Sequence, residues 1–179
     1  MRLRLFTADT GGFCENQREV SAAGYALVEY AARRVWGECP EIVRPKRGKP
    51  YFAGMGRFFS LSHTGARLFV GVSDFDVGVD AERRREVRAG MVERVTTPRE
   101  RAEFEFFELW TLREAVFKLT GRDSIMSMEL RREGGAVVTP YDGVLCRSYE
   151  LPGCAAAAAS YAGIFPEKIE NVPPELFLT

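Results

Sequence analysis

The chain has 179 residues, 46% hydrophobic and 28% charged, a mixture typical of a folded globular protein rather than of a disordered segment or a membrane protein. Lys plus Arg and Asp plus Glu balance at 25 each, so bulk charge gives no support for a nucleic-acid partner. The amino-terminal stretch has no apolar run long enough for a signal peptide or membrane span, and the four cysteines show no zinc-type pairing. We therefore expect one compact cytoplasmic unit, not associated with a membrane, whose thiols are free.

The first third of the chain predicts a strand, a helix and a basic loop. Leu3 to Thr7 alternates apolar and polar residues and predicts a strand, whereas Ser21 to Trp36 carries apolar residues at helical spacing. The stretch from Arg44 to Pro50 is basic and rich in Pro and Gly, which predicts an exposed loop.

The middle of the chain predicts a small antiparallel meander followed by a long helix. Three short β-prone runs are separated by turns, namely Phe58–Leu61, Leu68–Ser73 and Val77–Asp80. Thr97 and Pro98 then form a helix start, and an apolar face continues to Gly121 as a helix stop.

The last third predicts short strands and an extended tail. Ile125–Leu130, Ala136–Thr139 and Arg147–Leu151 are expected to be strands around glycine-rich turns. The alanine run 155–159 is bounded by Pro152, Gly153 and Gly163 and leaves about two helical turns, so we interpret it as a buried strand. The proline-containing tail after Pro166 is expected to wrap around the protein.

Two acids, Asp80 and Glu82, lie at the end of a predicted strand. Side chains alternate along a strand, so these two carboxylates point to the same face. Such a pair, together with substrate phosphate oxygens, is a common way to bind magnesium. The alternative is a solvated pair at a strand end, neutralised by the three arginines that follow.

A second group lies four residues apart on the predicted long helix. Trp110, Glu114 and Lys118 share one helix face, with a carboxylate and an ammonium one turn apart. An exposed Glu–Lys pair would contribute only tenths of a kcal/mol. If Trp110 draws this face inward, the two charges need a metal or an anion as a counterpart.

A third group is the segment Phe59 to Gly65, which contains Ser62 and His63, the one histidine of the chain. Both side chains can donate hydrogen bonds to phosphate oxygens. The alternative is an ordinary turn in which Ser62 bonds the backbone and His63 is half-exposed. The basic loop with Lys49 is likewise either a phosphate-binding element or a solvated surface.

Taken together, four motifs in this order resemble those of the 4′-phosphopantetheinyl transferases, and more narrowly of their longer, surfactin-type branch. The motifs are Gly48–Pro50, Phe59–Thr64, Gly78–Glu82 and Trp110–Lys118. The resemblance implies an α+β fold of two similar lobes, a pseudo-dimer in one monomeric chain, with approximate lobes 1–85 and 86–179. Coenzyme A would bind in the cleft between them.

Position by position, the resemblance implies a role for eight residues. Asp80, Glu82 and Glu114 resemble magnesium ligands; Lys118 and His63 resemble contacts to the coenzyme A diphosphate. Lys49 and Ser62 resemble contacts to the coenzyme's phosphates, and Arg113 stands where the family more often has lysine, so we include it among the coenzyme-binding candidates.

The implied reaction is magnesium-dependent transfer of 4′-phosphopantetheine from coenzyme A to a serine of an acyl or peptidyl carrier protein, releasing adenosine 3′,5′-bisphosphate. Glu114, Lys118 and His63 are the expected catalytic residues. Two alternatives remain: a degenerate protein that binds coenzyme A or a carrier without transfer, and a phosphodiesterase that releases free phosphopantetheine.

Overall fold

A computed structural model describes residues 1–54, 56–122 and 124–178. In these ranges the helices are α1 (Gln17–Trp36), α2 (Ala89–Val95), α3 (Pro98–Glu103), α4 (Phe106–Thr120) and a 3₁₀ turn at Pro174–Leu176. The strands are β1 (Leu3–Asp9), β2 (Ile42–Val43), β3 (Tyr51–Phe52), β4 (Phe58–Thr64), β5 (Arg67–Ser73), β6 (Val77–Arg83), β7 (Arg131–Glu133), β8 (Ala136–Val138), β9 (Leu145–Leu151), β10 (Cys154–Ser160) and β11 (Ile169–Asn171).

Two sheets and two long helices form four layers. Within the described ranges, one sheet has the strand order β11-β1-β5-β4 and the other the order β6-β10-β9-β8-β7, while β2 and β3 pair separately. Helix α1 packs on the first sheet and α4 on the second. The order of layers is therefore helix, sheet, sheet, helix, and the predicted α+β fold with two lobes is confirmed.

Three apolar interfaces join these layers, because side chains alternate between the two faces of each strand. Phe6, Leu68 and Val70 face α1, whereas Leu5 and Phe69, one residue away from Phe6 and Val70 respectively, face the second sheet. The third interface lies between α4 and the second sheet. Both sheets are thus covered on both faces.

Strand β10 is the predicted alanine strand and is confirmed. All seven of its residues are buried. Ala157 and Ala159 face α4, while Ala156 and Ala158 face the first sheet. Burial on both faces explains why this run is apolar throughout instead of alternating. The lack of long side chains lets helix and sheets approach it closely.

The predicted three-stranded meander is wrong at its third strand. Strands β4 and β5 pair antiparallel, but β6 leaves them and pairs with β10 in the second sheet. The tail makes the reverse crossing, since β11 pairs in parallel with β1. The lobe boundary near residue 85 stays a prediction, although β6 and β11 both pair across it.

The predicted long helix is interrupted, and one predicted strand is wrong. Thr97 and Glu100 form a capping box that begins α3, and Glu105 accepts hydrogen bonds from two backbone amides to begin α4. The extended backbone at Phe104 separates the two helices. Residues 125–130 form a turn and an irregular segment, and the strand begins at Arg131 instead.

The four cysteines are free. No helix in the described ranges is both long enough and apolar enough to cross a membrane.

Candidate active site

The site is built where α4 crosses β6. Gly78 permits this crossing: a Cβ atom placed on it would lie 2.0 Å from the Ala115 carbonyl oxygen and 2.7 Å from the Leu119 amide nitrogen. The backbone of α4 therefore packs directly against β6. Asp80 and Glu82 follow Gly78 at alternate positions, so all three lie on the face of β6 that α4 covers.

Helix α4 brings Glu114 and Lys118 to this face. Both side chains are half-buried, and the Lys118 ammonium donates a hydrogen bond of 2.7 Å to Asp80 Oδ1. Trp110 is also half-buried and stacks on Phe106 with ring centroids 6.2 Å apart. The face is therefore neither a core face nor a solvated one, and its Lys118 lines a cleft.

The three carboxylates influence one another. Burial raises the pKa of Glu114 above its usual 4.5, the charges of Asp80 and Glu82 add to this increase, and Lys118 opposes it. Burial and the Asp80 charge likewise raise the pKa of Glu82. The site thus holds more negative charge than its ammonium group balances, and it favours a cation or a proton.

Asp80 is the best-defined member of the group. The residue is 4% exposed, and its Oδ1 accepts from both Ser62 Oγ, at 2.7 Å, and Lys118. Its Oδ2 is buried and has no hydrogen-bond partner among the described residues. A buried carboxylate oxygen without a partner is costly unless something binds it.

These residues fit a magnesium ion only as an open site. No group of three or more His, Cys, Asp or Glu side chains in the described parts of the chain is arranged so that it could hold a metal ion. Magnesium is usually held by one or two protein carboxylates, with phosphate and water oxygens completing its shell. The free Asp80 Oδ2 beside Glu82 and Glu114 is compatible with that incomplete donor set.

The hydroxyl groups of β4 join the two sheets beside the acids. Ser60 Oγ accepts from the Val79 amide at 3.0 Å, and Thr64 Oγ1 accepts from the Arg83 amide at 3.1 Å and contacts Glu82 at 3.4 Å. Ser60 and Thr64 are absent from the site predicted from the sequence. The signal was available, since Ser60, Ser62 and Thr64 alternate along one strand face.

A cleft of about 550 Å³ opens beside the acids. Its walls come from three elements: the loop before β3, strand β4 and the end of α4. They are Gly48, Lys49, Pro50, Phe59, Ser60, Leu61, Phe117, Lys118 and Gly121. The cleft is mainly apolar and carries two ammonium groups, which suits an organic ligand that bears phosphates.

Lys49 is held at this cleft by the start of β6. Its ammonium donates to Asp76 Oδ1 at 3.2 Å and to the Val77 carbonyl. Burial lowers the pKa of Lys49, Asp76 opposes the decrease, and the charge of Lys118 adds to it. The two lysines are therefore near enough to repel each other, and an anion between them would relieve the repulsion.

Two predicted site residues lie apart from this group. His63 is exposed and occupies the strand position next to Ser62, so its side chain points to the opposite face of β4. Arg113 is 2% exposed and donates to Glu100 Oε1 at 2.7 Å and to the Val95 carbonyl. This placement gives no support to Arg113 as a coenzyme contact.

The comparisons with known proteins concern this part of the chain. Residues 76–134 match the family model of the 4′-phosphopantetheinyl transferase superfamily. This segment carries the signature of that superfamily. A relative, the 4′-phosphopantetheinyl transferase psf-1 of Bacillus pumilus, is 36% identical over 86 residues, which cover 42% of this chain and 37% of the relative. The resemblance to the superfamily is thus confirmed, and the match supports its surfactin-type branch.

The superfamily segment, residues 76–134, contains the Gly78–Glu82 and Trp110–Lys118 motifs. The motifs Gly48–Pro50 and Phe59–Thr64 lie outside it. The structure nevertheless places Lys49 and Ser60 in the same cleft as Lys118, and Ser62 on Asp80. Residues from outside the matched segment therefore complete the site that it contains.

Proposed function

We propose that this protein transfers the 4′-phosphopantetheine group of coenzyme A to a serine of an acyl or peptidyl carrier protein, with magnesium. The observation that carries the proposal is the convergence of four motifs that are distant in sequence: three of them line one cleft, and the fourth is bonded to two of these through Asp80. Lys49 and Lys118 provide cations, and apolar walls suit the organic part of the coenzyme.

Magnesium would be held by Asp80, Glu82 and Glu114 and would neutralise charge on the diphosphate. The protein's own residues contribute the remaining chemistry. Lys118 and Lys49 bind and orient the phosphates. The resemblance alone supports His63 as a further diphosphate contact, because its side chain points to the opposite face of β4 from Ser62. Positioning of this kind accounts for most of the catalysis in phosphoryl transfer.

Glu114 is proposed to accept the proton of the carrier serine. The serine oxygen attacks the phosphorus nearest the pantetheine, a new P–O bond forms, and the bond to the oxygen on the adenosine side breaks. Adenosine 3′,5′-bisphosphate then leaves with the electron pair of that bond. Without a bound cation, burial and the charges of Asp80 and Glu82 raise the pKa of Glu114, which favours proton acceptance by its carboxylate.

We further propose a monomer that acts in the cytoplasm. The two sheets already pack face to face within one chain, which supports a pseudo-dimer complete in itself. Light scattering of the purified protein gives the mass in solution and tests the monomer directly.

The deciding experiment is the intact mass of several apo carrier proteins after incubation with this protein, coenzyme A and magnesium. A chelator control and the Glu114→Gln variant run in parallel. A magnesium-dependent gain of one phosphopantetheine supports the proposal. Coenzyme A binding without any mass gain indicates a degenerate binding protein, and release of free phosphopantetheine indicates a phosphodiesterase.

A further inference from the structure

The Ser62 hydroxyl group contacts Asp80, one of the acids of the site, and Ser62 does not line the cleft. We propose that Ser62 is a positioning residue, which orients Asp80 and leaves Asp80 Oδ2 available to a cation, instead of binding a phosphate of the coenzyme. The inference rests on the proposed function and assigns a role within its site. Ser62 is 7% exposed, whereas its neighbours Ser60 and Leu61 line the cleft.

The hydrogen-bond capacity of a serine decides between these two roles. A hydroxyl group has one proton to donate, and Ser62 donates it to Asp80 Oδ1 at 2.7 Å. The same oxygen accepts from Lys118, also at 2.7 Å. Ser62 could donate to a phosphate only by releasing Asp80, which would leave a buried carboxylate with one donor fewer.

The same contacts set the orientation of the Asp80 carboxylate. Two donors from two elements, β4 and α4, engage Oδ1, so the carboxylate cannot turn without losing one of them. Oδ2 is then directed away from both donors and has no partner among the described residues. Groups that orient a metal-binding side chain typically change metal affinity 10- to 100-fold when removed, by general experience.

The test compares Ser62→Ala and Ser62→Thr with the wild-type protein in two binding measurements. Manganese binding without substrate, measured by electron paramagnetic resonance, reports the affinity of the acids for a divalent cation. Coenzyme A binding in the presence of a chelator, followed by calorimetry, reports direct phosphate contacts. Ser62→Ala is expected to weaken manganese binding about tenfold and to leave metal-free coenzyme A affinity unchanged. Ser62→Thr, which keeps a hydroxyl group, restores manganese binding.

Ser148→Ala is the matched control. Ser148 donates to Glu108 Oε1 at 2.8 Å, which is the same kind of bond outside the site, and its loss is expected to leave both affinities unchanged. Thermal unfolding of each variant shows whether a change in metal affinity is merely a loss of stability.

The opposite pattern overturns the inference: weaker metal-free coenzyme A binding with unchanged manganese binding makes Ser62 a phosphate contact. Unchanged values for both affinities also overturn it. Failure of the proposed function would be seen differently, as an absence of carrier modification by the wild-type protein. Manganese binding by the Ser62 variants would still test the role of Ser62 in that case. A wild-type protein that binds no manganese contradicts both.

Discussion

Two of the ion pairs that helix α4 makes differ in their surroundings. Arg113 donates to Glu100 with the two side chains 3% and 0% exposed, and Lys118 donates to Asp80 with 27% and 6% exposed. Each pair leaves one buried atom without a partner in the described structure, Arg113 Nε and Asp80 Oδ2. Yet one pair is enclosed by protein and the other borders the cleft.

The partners of the two acids show what this difference means. Glu100 also accepts from the Thr97 and Leu130 amides, so both of its oxygens hold structural elements together. Those bonds and Arg113 lower the pKa of Glu100 although burial alone would raise it. Asp80 instead has other carboxylates as neighbours. Removing one partner of an enclosed pair is destabilising because the other charge stays buried, whereas surplus like charge at a cleft is typical of a ligand-binding site.

The largest expected effect removes the close contact between α4 and β6, the elements that carry Lys118 and Asp80. Gly78→Ala places a Cβ atom 2.0 Å from the Ala115 carbonyl oxygen, which forces α4 away from β6. We expect the free energy of unfolding to fall by about 4 kcal/mol or more, measured in urea. Gly90→Ala is the control: it lies on an exposed helix with nothing within 4 Å of its added Cβ and is expected to be neutral or slightly stabilising.

The next effect separates activity from stability. Glu114→Gln keeps the size of a half-buried side chain but removes its charge, and we expect carrier modification to slow roughly a thousandfold. The urea midpoint should stay close to that of the wild type, since Glu114 accepts no structural hydrogen bond from the described residues. Near-normal turnover would remove Glu114 from the mechanism.

The Arg113–Glu100 pair is expected to give the opposite result, a loss of stability without a loss of activity. Arg113→Met leaves Glu100 buried without its cation but with two amide donors, so the loss of stability should be about 3 kcal/mol, at the low end for a broken buried pair. Activity per folded molecule should persist. A strong loss of coenzyme A affinity in the folded variant would instead restore Arg113 to the binding site.

The pH dependence of this pair follows from the lowered pKa of Glu100. Its contribution is present above the usual carboxyl pKa of 4.5 and is lost as pH falls through the lower value of the folded state. The difference in unfolding free energy between wild type and Arg113→Met should therefore narrow below about pH 4. A constant difference from pH 7 to pH 3 would show that the Glu100 charge does not stabilise the fold.

The smallest expected effect concerns the pair of Lys118 and Asp80. Lys118→Ala removes an ammonium from the cleft, and coenzyme A should bind about tenfold more weakly by calorimetry. Lys168→Ala changes an exposed lysine outside the cleft and serves as the control for net charge. Equal affinities in the two variants would reassign Lys118 to an ordinary structural pair.

Much of the local structure could be predicted from the residues. The strand at Leu3, the first helix, the helix start at Thr97 and the alanine strand all follow from periodicity and end signals that act over a few residues. The break at Phe104 was missed because the apolar periodicity continues through it, while the Glu105 cap that starts a new helix is a single side chain. Residues 125–130 resemble a strand in composition but form no strand pairing in the described structure.

The candidate site shows the same division. Spacing placed Asp80 with Glu82, and Glu114 with Lys118, because a period of two or of 3.6 puts each pair on one face. Their assignment to one site, and that of Lys49, came from the resemblance. The structural role of Arg113 was not predicted, because its partners Glu100 and Val95 reach it only through the packing of α2 and α3 against α4. Ser60 and Thr64 were also missed, because they join β4 to a strand of the other sheet.

The sequence by itself determined most of the elements, the carboxylates on β6 and the charged face of α4, since these depend on neighbours within a few positions. The order of four motifs indicated the superfamily that they resemble. Only the tertiary structure decided that β6 leaves the meander for the second sheet and that the tail returns to the first. The reason is physical: strand pairing depends on which apolar faces can be buried together, and local sequence does not specify the partner. That crossing of β6 is what places Asp80 between Ser62 and Lys118.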